Sequence, residues 1–247
     1  MVINQNIDFL CENLNVEFPI YNVVTRSVKS LISGGSSSIK TFKALSDINL
    51  TVRTGDRIGL IGYNGAGKSS FLRTLAGIYP PESGRLYINT KTTSIFAVGV
   101  GTNPDASGYK NIPLLMASRG IPLSQLDEVI EDVKAFTELG DALARPIRTY
   151  SEGMRLRIAF AIATFAVEGA LLMDEVVGVG DVVFRKKSKK RLEKIINEAP
   201  TLLLASHSVA FLKSFCTTAL VFEHGKIVFQ GPIQDAANFY KLSKSPI

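Results

Sequence analysis

The chain has 247 residues, 46% of them apolar and 20% charged, a composition that suits a folded globular protein and excludes an intrinsically disordered one. Its formal charge of +6 hints at an acidic partner, and its two cysteines, Cys11 and Cys216, exclude a disulfide framework and fit a reducing compartment. The longest apolar stretch, 158–173, is broken by Glu168 and falls short of the roughly 20 residues that cross a bilayer; residues 1–6 lack the pattern of a signal peptide, so a chain that does not span a membrane is expected.

From the N-terminus, apolar and polar residues mix through Leu14 and Val16 in the manner of a strand, which the proline of Phe18-Pro19-Ile20-Tyr21 brings to a close. Residues 23–32 have the pattern of a short helix, and 33–38, all Ser and Gly, that of a flexible loop. Strand character returns over 44–52, and 56–61 is a short buried strand after a turn. Gly62-Tyr63-Asn64-Gly65-Ala66-Gly67-Lys68-Ser69 then fits the phosphate-loop pattern G-x-x-x-x-G-K-[ST], with Ser70 next, and Phe71, Leu72, Leu75 and Ala76 follow at helical spacing. Strand, glycine loop and helix make a cradle for a polyphosphate: glycines let backbone N–H groups close around it, and a helix starting near Lys68 points its positive end there.

Further on, strands are expected at 85–89 and 93–98, a loop at 99–108, and mainly helices over 111–155. This predicts an α/β nucleotide-binding core, about 1–98 and 156–247, with an N-terminal β portion and an inserted helical lobe of about 104–155. A long apolar helix over 157–167 leads back to the core; 170–173 and 201–205 are buried strands, 219–223 and 226–230 flank His224-Gly225 as a hairpin, and 238–247 is a short helix with a frayed tail. The run Arg185-Lys186-Lys187-Ser188-Lys189-Lys190-Arg191 is compatible with a nucleic-acid patch, but no aromatic residues are interleaved as stacking platforms, and Leu192, Ile195 and Ile196 favour a helix with one buried stripe and a solvated basic face.

The strand 170–173 ends in Asp174-Glu175, the Walker B pattern, which places Asp174 to hold Mg²⁺ opposite the Ser69 hydroxyl and leaves Glu175 to orient or deprotonate water. Tyr150-Ser151-Glu152-Gly153-Met154 lies just before the 157–167 helix. Its serine and backbone amides could serve as an anion site, and equally as a helix N-cap. In the order phosphate loop, helices, this pentapeptide, Walker B, the chain resembles an ATP-binding cassette (ABC) protein, whose signature is usually Leu-Ser-Gly-Gly-Gln; Ser151 and Gly153 match it, whereas Tyr150, Glu152 and Met154 do not.

The stretches 146–161 and 174–184 look like those of the ATPase subunits of bacterial polysaccharide exporters of the O-antigen and teichoic-acid type, and the resemblance covers nearly the whole chain. It implies ATP and Mg²⁺ as ligands, a head-to-tail homodimer in which Ser151 and Gly153 complete the partner's site, and Asp181 coupling the two sites. It further implies His207 contacting the γ-phosphate, and adenine stacked on Phe18 or Tyr21. A separate polytopic permease, contacted near 104–119, a lipid-linked polysaccharide cargo and a place on the cytoplasmic face of the inner membrane are implied too, with no added C-terminal carbohydrate-binding domain. No glutamine occurs between Leu86 and Ser124, where the family has its Mg²⁺-sensing glutamine; a backbone group, water or Asn103 stands in, or coupling differs. The alternatives are a soluble ABC-fold ATPase acting on nucleic acid or ribosomes through 185–194, and a cassette that binds ATP without hydrolysis.

Overall fold

The computed structural model describes residues 6–20, 40–96, 101–174 and 182–243. Two long strands open it, β1 (Ile7–Pro19) and β2 (Thr41–Arg53), paired antiparallel from Ile7↔Arg53 to Pro19↔Thr41. Strand β3 (Arg57–Ile61) and helix α1 (Lys68–Leu75) follow, and β4 (Ser83–Ile88) then pairs with the free edge of β1, giving a three-stranded sheet in the order β2-β1-β4. After β5 (Thr92–Ile95) come three lobe helices, α2 (Gly108–Ala117), α3 (Leu126–Thr137) and α4 (Glu152–Ala163). The chain closes with β6 (Ala170–Asp174), α5 (Val182–Glu198), β7 (Thr201–Ala205), α6 (Val209–Phe215), β8 (Thr218–Glu223), β9 (Lys226–Pro232) and α7 (Ile233–Ser243). These strands form a six-stranded sheet, β5-β6-β7-β3-β8-β9, parallel except for the last pair.

The central strands are continuous apolar runs because both faces of this sheet are covered. In β6, Leu171 and Met173 join the apolar cluster that includes the lobe, while Ala170 and Leu172 face the cluster beneath the antiparallel sheet; Leu202 and Leu204 against Leu203 and Ala205 repeat the alternation in β7. Helix α1 lies on the second face through Phe71, Leu72 and Leu75. At the N-terminal end of β3 Arg57 ties the layers together, donating to the carbonyls of Phe215 at 2.8 Å and Ile196 at 2.7 Å and so satisfying acceptors at two helix ends.

Three sequence expectations change. The 157–167 helix begins five residues earlier, at Glu152, with Ser151 as its N-cap, and stops at Ala163, after which the Thr164 hydroxyl bonds back to the Phe160 carbonyl at 2.7 Å. The last helix begins at Ile233, right after Pro232, rather than at 238. The basic run is only partly solvated. Lys187 bonds Glu138 at 2.5 Å and the Ala135 carbonyl at 2.9 Å, while Arg191 grips Asp132 with two bonds of 2.6 and 3.1 Å and lies 4.4 Å over the Phe136 ring. Two of its cations therefore dock α5 onto the lobe, and Arg185, Lys186, Lys189 and Lys190 remain on the exposed face. The expected 23–32 helix lies outside the described residues, and no described helix is long and apolar enough to cross a membrane.

Candidate functional site

The phosphate loop joins the end of β3 to the start of α1. Gly67 sits at φ 112°, a left-handed conformation, and a Cβ there would lie 3.1 Å from the Ala44 carbonyl oxygen, so both backbone and space demand glycine. As N-cap of α1 it offers no side chain to the first-turn amides, and no acidic residue stands in that turn. The positive end of α1 is thus left open to an anion. Lys68 is 7% exposed and its ammonium curls back onto the loop, donating to the carbonyls of Gly62 at 2.8 Å and Tyr63 at 3.0 Å. Ser69 and Ser70 are half-buried beside it, and Asn64 and Gly65 are exposed at the tip.

Sheet register brings the other groups to the same edge. Asp174, the last residue of β6, is level with Ala205 of β7, and Ala205 is level with Leu60 of β3, one residue before the loop-bearing end. At about 4.8 Å per strand, the Asp174 backbone lies roughly 10 Å from that of Leu60. His207, two residues past the end of β7, is exposed over the same edge, and the next residue, Ser208, caps α6 by accepting from the Phe211 amide at 3.2 Å. Helix α1 packs against both β6 and β7.

The remaining candidates are more scattered. Phe18, near the end of β1, is half-buried with its ring edge-on to Tyr79 at 4.8 Å, and across the sheet it is level with Phe42, which is 55% exposed. Ser151 and Gly153 stand at the N-terminus of α4, which packs on α2 and α3 of the lobe; the Ser151 hydroxyl accepts from the Met154 amide at 3.2 Å. Among the described residues, and apart from its own helix backbone and chain neighbours, a Cβ on Gly153 would meet Ser151 Oγ alone, at 3.9 Å. Asn103 does not reach out as a substitute glutamine would: its carboxamide oxygen accepts from the Asp105 amide at 3.0 Å and closes a local turn. Tyr21, Glu175 and Asp181 lie outside the described residues.

One contact has no local sequence signal, although the hairpin that makes it does. The β8–β9 turn, His224 at φ 47° and Gly225 at φ 76°, plugs into the back of the phosphate loop. The Gly225 amide donates to the Ala66 carbonyl at 2.9 Å, its own carbonyl accepts from Ser46 at 2.9 Å, and the His224 amide donates to the Tyr63 hydroxyl at 3.0 Å. A Cβ at Gly225 would stand 2.6 Å from the Ala44 carbonyl oxygen. The loop is therefore braced by a hairpin about 160 residues away in sequence.

The C-terminal edge of an open parallel sheet is where phosphate-bearing ligands bind in this architecture, and the class so defined is the phosphate-loop nucleotide hydrolases. Comparison with known proteins narrows it. The family model described as ABC transporter matches residues 45–178. The O-antigen export system ATP-binding protein RfbE of Yersinia enterocolitica is 37% identical over 225 residues, 87% of this chain and 94% of that protein. The teichoic acids export ATP-binding protein TagH of Listeria monocytogenes is 32% identical over 236 residues, 96% of this chain and 70% of that protein. Among solved structures, the ATP-binding cassette MJ0796, a dimer bound to ADP and Pi, superposes with a TM-score of 0.63 at 17% identity, covering 91% of this chain and 98% of that one. An ATP-binding subunit of an ABC transporter gives 0.67 at 17% identity, over 96% and 95% of the two chains. The chain belongs to the ABC transporter family, with the α/β phosphate-loop fold of its ATPase subunits and their ATP-binding, hydrolytic activity.

Proposed function

We propose that this chain powers export of a lipid-linked polysaccharide of the O-antigen type, as one of two identical ATPase subunits on the cytoplasmic face of the inner membrane beneath a separate polytopic permease. The observation that carries the ATPase part is the alignment of the Lys68 loop, Asp174 and His207 on one sheet edge. The similarity to RfbE and TagH supports the cargo class.

In this reading the amides of Gly62, Tyr63, Asn64, Gly65, Ala66 and Gly67, with Lys68 and the hydroxyls of Ser69 and Ser70, hold the phosphates. Lys68 already sits against the loop carbonyls, where its ammonium faces the space the phosphate oxygens would take. Ser69 and Asp174 present only oxygen donors, on elements packed together, a set that fits Mg²⁺. When bound, Mg²⁺ neutralises charge on the phosphates. Glu175 orients the attacking water, His207 contacts the γ-phosphate, and Phe18 or Tyr21 stacks on adenine. Ser151 and Gly153 act on the nucleotide held by the partner subunit, and Asp181 links the two sites. The helical lobe, about 104–155, meets the permease through exposed positions such as Pro104 and Leu114.

Turnover of the purified chain against a Glu175→Gln control tests the enzyme, and the expected result is hydrolysis that the substitution abolishes. Affinity purification from detergent-solubilised membranes tests the exporter: a polytopic membrane protein should accompany the chain, and its absence would remove the export assignment. Nucleic acid is not expected to bind, and Lys187 and Arg191 of the basic run are already held by Glu138 and Asp132.

A further inference from the structure

The lobe contains a polar joint that the ATPase reading leaves without a task. Asn111, on α2, is fully buried. Its carboxamide oxygen accepts from the Asn103 amide at 2.6 Å, and its NH₂ donates to the carbonyls of Asn103 at 2.9 Å, Ala106 at 3.1 Å and Ser107 at 2.9 Å. One side chain thus sets the course of the whole 103–107 loop, which lies within the stretch between Leu86 and Ser124 where the family's glutamine is missing. That loop is zipped in turn to the approach to the signature. Ile147 donates to the Ala106 carbonyl at 3.0 Å, Arg148 to that of Pro104 at 2.9 Å, and Gly108 to that of Arg145 at 3.3 Å.

The zipper runs straight into Ser151. The Tyr150 amide bonds the Ile147 carbonyl at 2.9 Å, and its hydroxyl donates to the Ala142 carbonyl at 2.5 Å. Gly108 lies under that hydroxyl so closely that a Cβ would come within 2.6 Å of it. Tyr150 stands where the usual signature has leucine, and its hydroxyl supplies an anchor that leucine could not. Buried, fully satisfied polar groups of this kind fix one geometry, because any shift leaves a donor or acceptor unpaired.

We propose that Asn111, with Tyr150 and Gly108, is the positioning joint through which the membrane partner governs hydrolysis in this chain: displacement of the 103–107 loop, exposed at 103–105, is carried by the 104–106/147–148 zipper to Ser151. The inference rests on the exporter reading above. It assigns to a buried asparagine and a backbone seam the coupling role that the absent glutamine leaves vacant. Asn111 touches neither nucleotide nor partner, so its loss should separate basal from partner-controlled turnover.

The test measures MgATP hydrolysis by the full chain, alone and with its co-purified membrane partner, in wild type, Asn111→Ala and Gly108→Ala, after thermal melting confirms that each is folded. Wild type should change its kcat when the partner is present. In Asn111→Ala, kcat and KM of the chain alone should stay within about twofold of wild type, while the partner effect shrinks by about fivefold or more. Gly108→Ala removes no Asn111 side-chain bond and presses hardest on the Tyr150 hydroxyl, 2.6 Å from the new Cβ, and less on the Leu143 carbonyl at 3.0 Å; it should lose the partner effect in the same way, and it carries the test if Asn111→Ala does not fold. A folded variant that binds the partner and responds as wild type does overturns the joint and leaves the exporter reading intact. A parallel fall in basal turnover also overturns it, by making the role merely structural. A wild-type chain with no membrane partner removes the exporter reading, and the joint with it.

Discussion

Two turns of this molecule each lead into a helix N-terminus, and they are built on opposite principles. The phosphate loop is enclosed: Gly67 is pressed against Ala44 and Gly225, Lys68 is nearly buried, and a distant hairpin braces the loop from behind. The Ser151–Gly153 turn is open: Ser151 and Glu152 are exposed, and among the described residues, apart from the helix's own backbone and Gly153's chain neighbours, a single neighbouring hydroxyl lies within 4 Å of where a Gly153 side chain would begin. Gly67 is required by the chain's own packing. Gly153 is not, although glycine in a helix costs about 1 kcal/mol relative to alanine. A glycine that its own chain does not need is accounted for by close approach of something outside, and in the proposed dimer that is the partner's nucleotide.

The largest effect should come from the enclosed end. Lys68→Ala removes the only charged donor in the cradle and should lower turnover by on the order of 10²–10³-fold. Near-wild-type turnover would show that the phosphates bind elsewhere. Gly153→Val sharpens the contrast, since it should leave the melting temperature almost unchanged yet reduce hydrolysis about tenfold or more by blocking that approach. Unchanged hydrolysis would make the open turn a helix cap and nothing else.

A smaller effect is expected where lobe and core meet. Asp132→Ala leaves the Arg191 guanidinium, which is 14% exposed, with only the Thr164 and Ala161 carbonyls, and should destabilise the fold by about 1–2 kcal/mol in denaturant titration. No change would mean that the Phe136 stack and the Lys187 bonds to Glu138 and Ala135 hold the seam without the Asp132 pair. The smallest effect compares the two apolar clusters. Burial pushes both the Cys11 and the Cys216 thiols up to about 12, so at pH 8 both are neutral, and the native protein should resist alkylation at either position. Fast labelling of one would show that its cluster opens.

How far the sequence revealed this fold depends on how local each determinant is. The run Thr201–Ala205 is a strand with the bounds expected, because four consecutive apolar residues after Thr201, set between Pro200 and Ser206, have one way to be buried on both faces. The phosphate loop was legible for a similar reason, its strand, glycines and helix being contiguous. The start of α4 precedes the expected one because Gly153 and the polar residues around it weigh against helix, whereas the Ser151 cap and the Tyr150 anchor outweigh them in the folded chain. The first turn of α7 does carry a start signal, Pro232 just before it and Asp235 within it, but its apolar spacing is too short to read as helix by itself. The hairpin brace on Ala66 and the Asn111 joint were not legible at all, since each joins segments whose proximity only the completed sheet and lobe create.

The central claim is that the site is completed by a second copy of the chain, and association driven by ATP tests it most directly. Glu175→Gln, which retains nucleotide by blocking hydrolysis, should run at the 26.8 kDa monomer mass without ATP and at twice that mass with MgATP. Adding Ser151→Glu, which sets a carboxylate against the partner's phosphates, should keep it monomeric under both conditions. A Glu175→Gln chain that stays monomeric in saturating MgATP, or a double variant that still dimerises, would contradict the account.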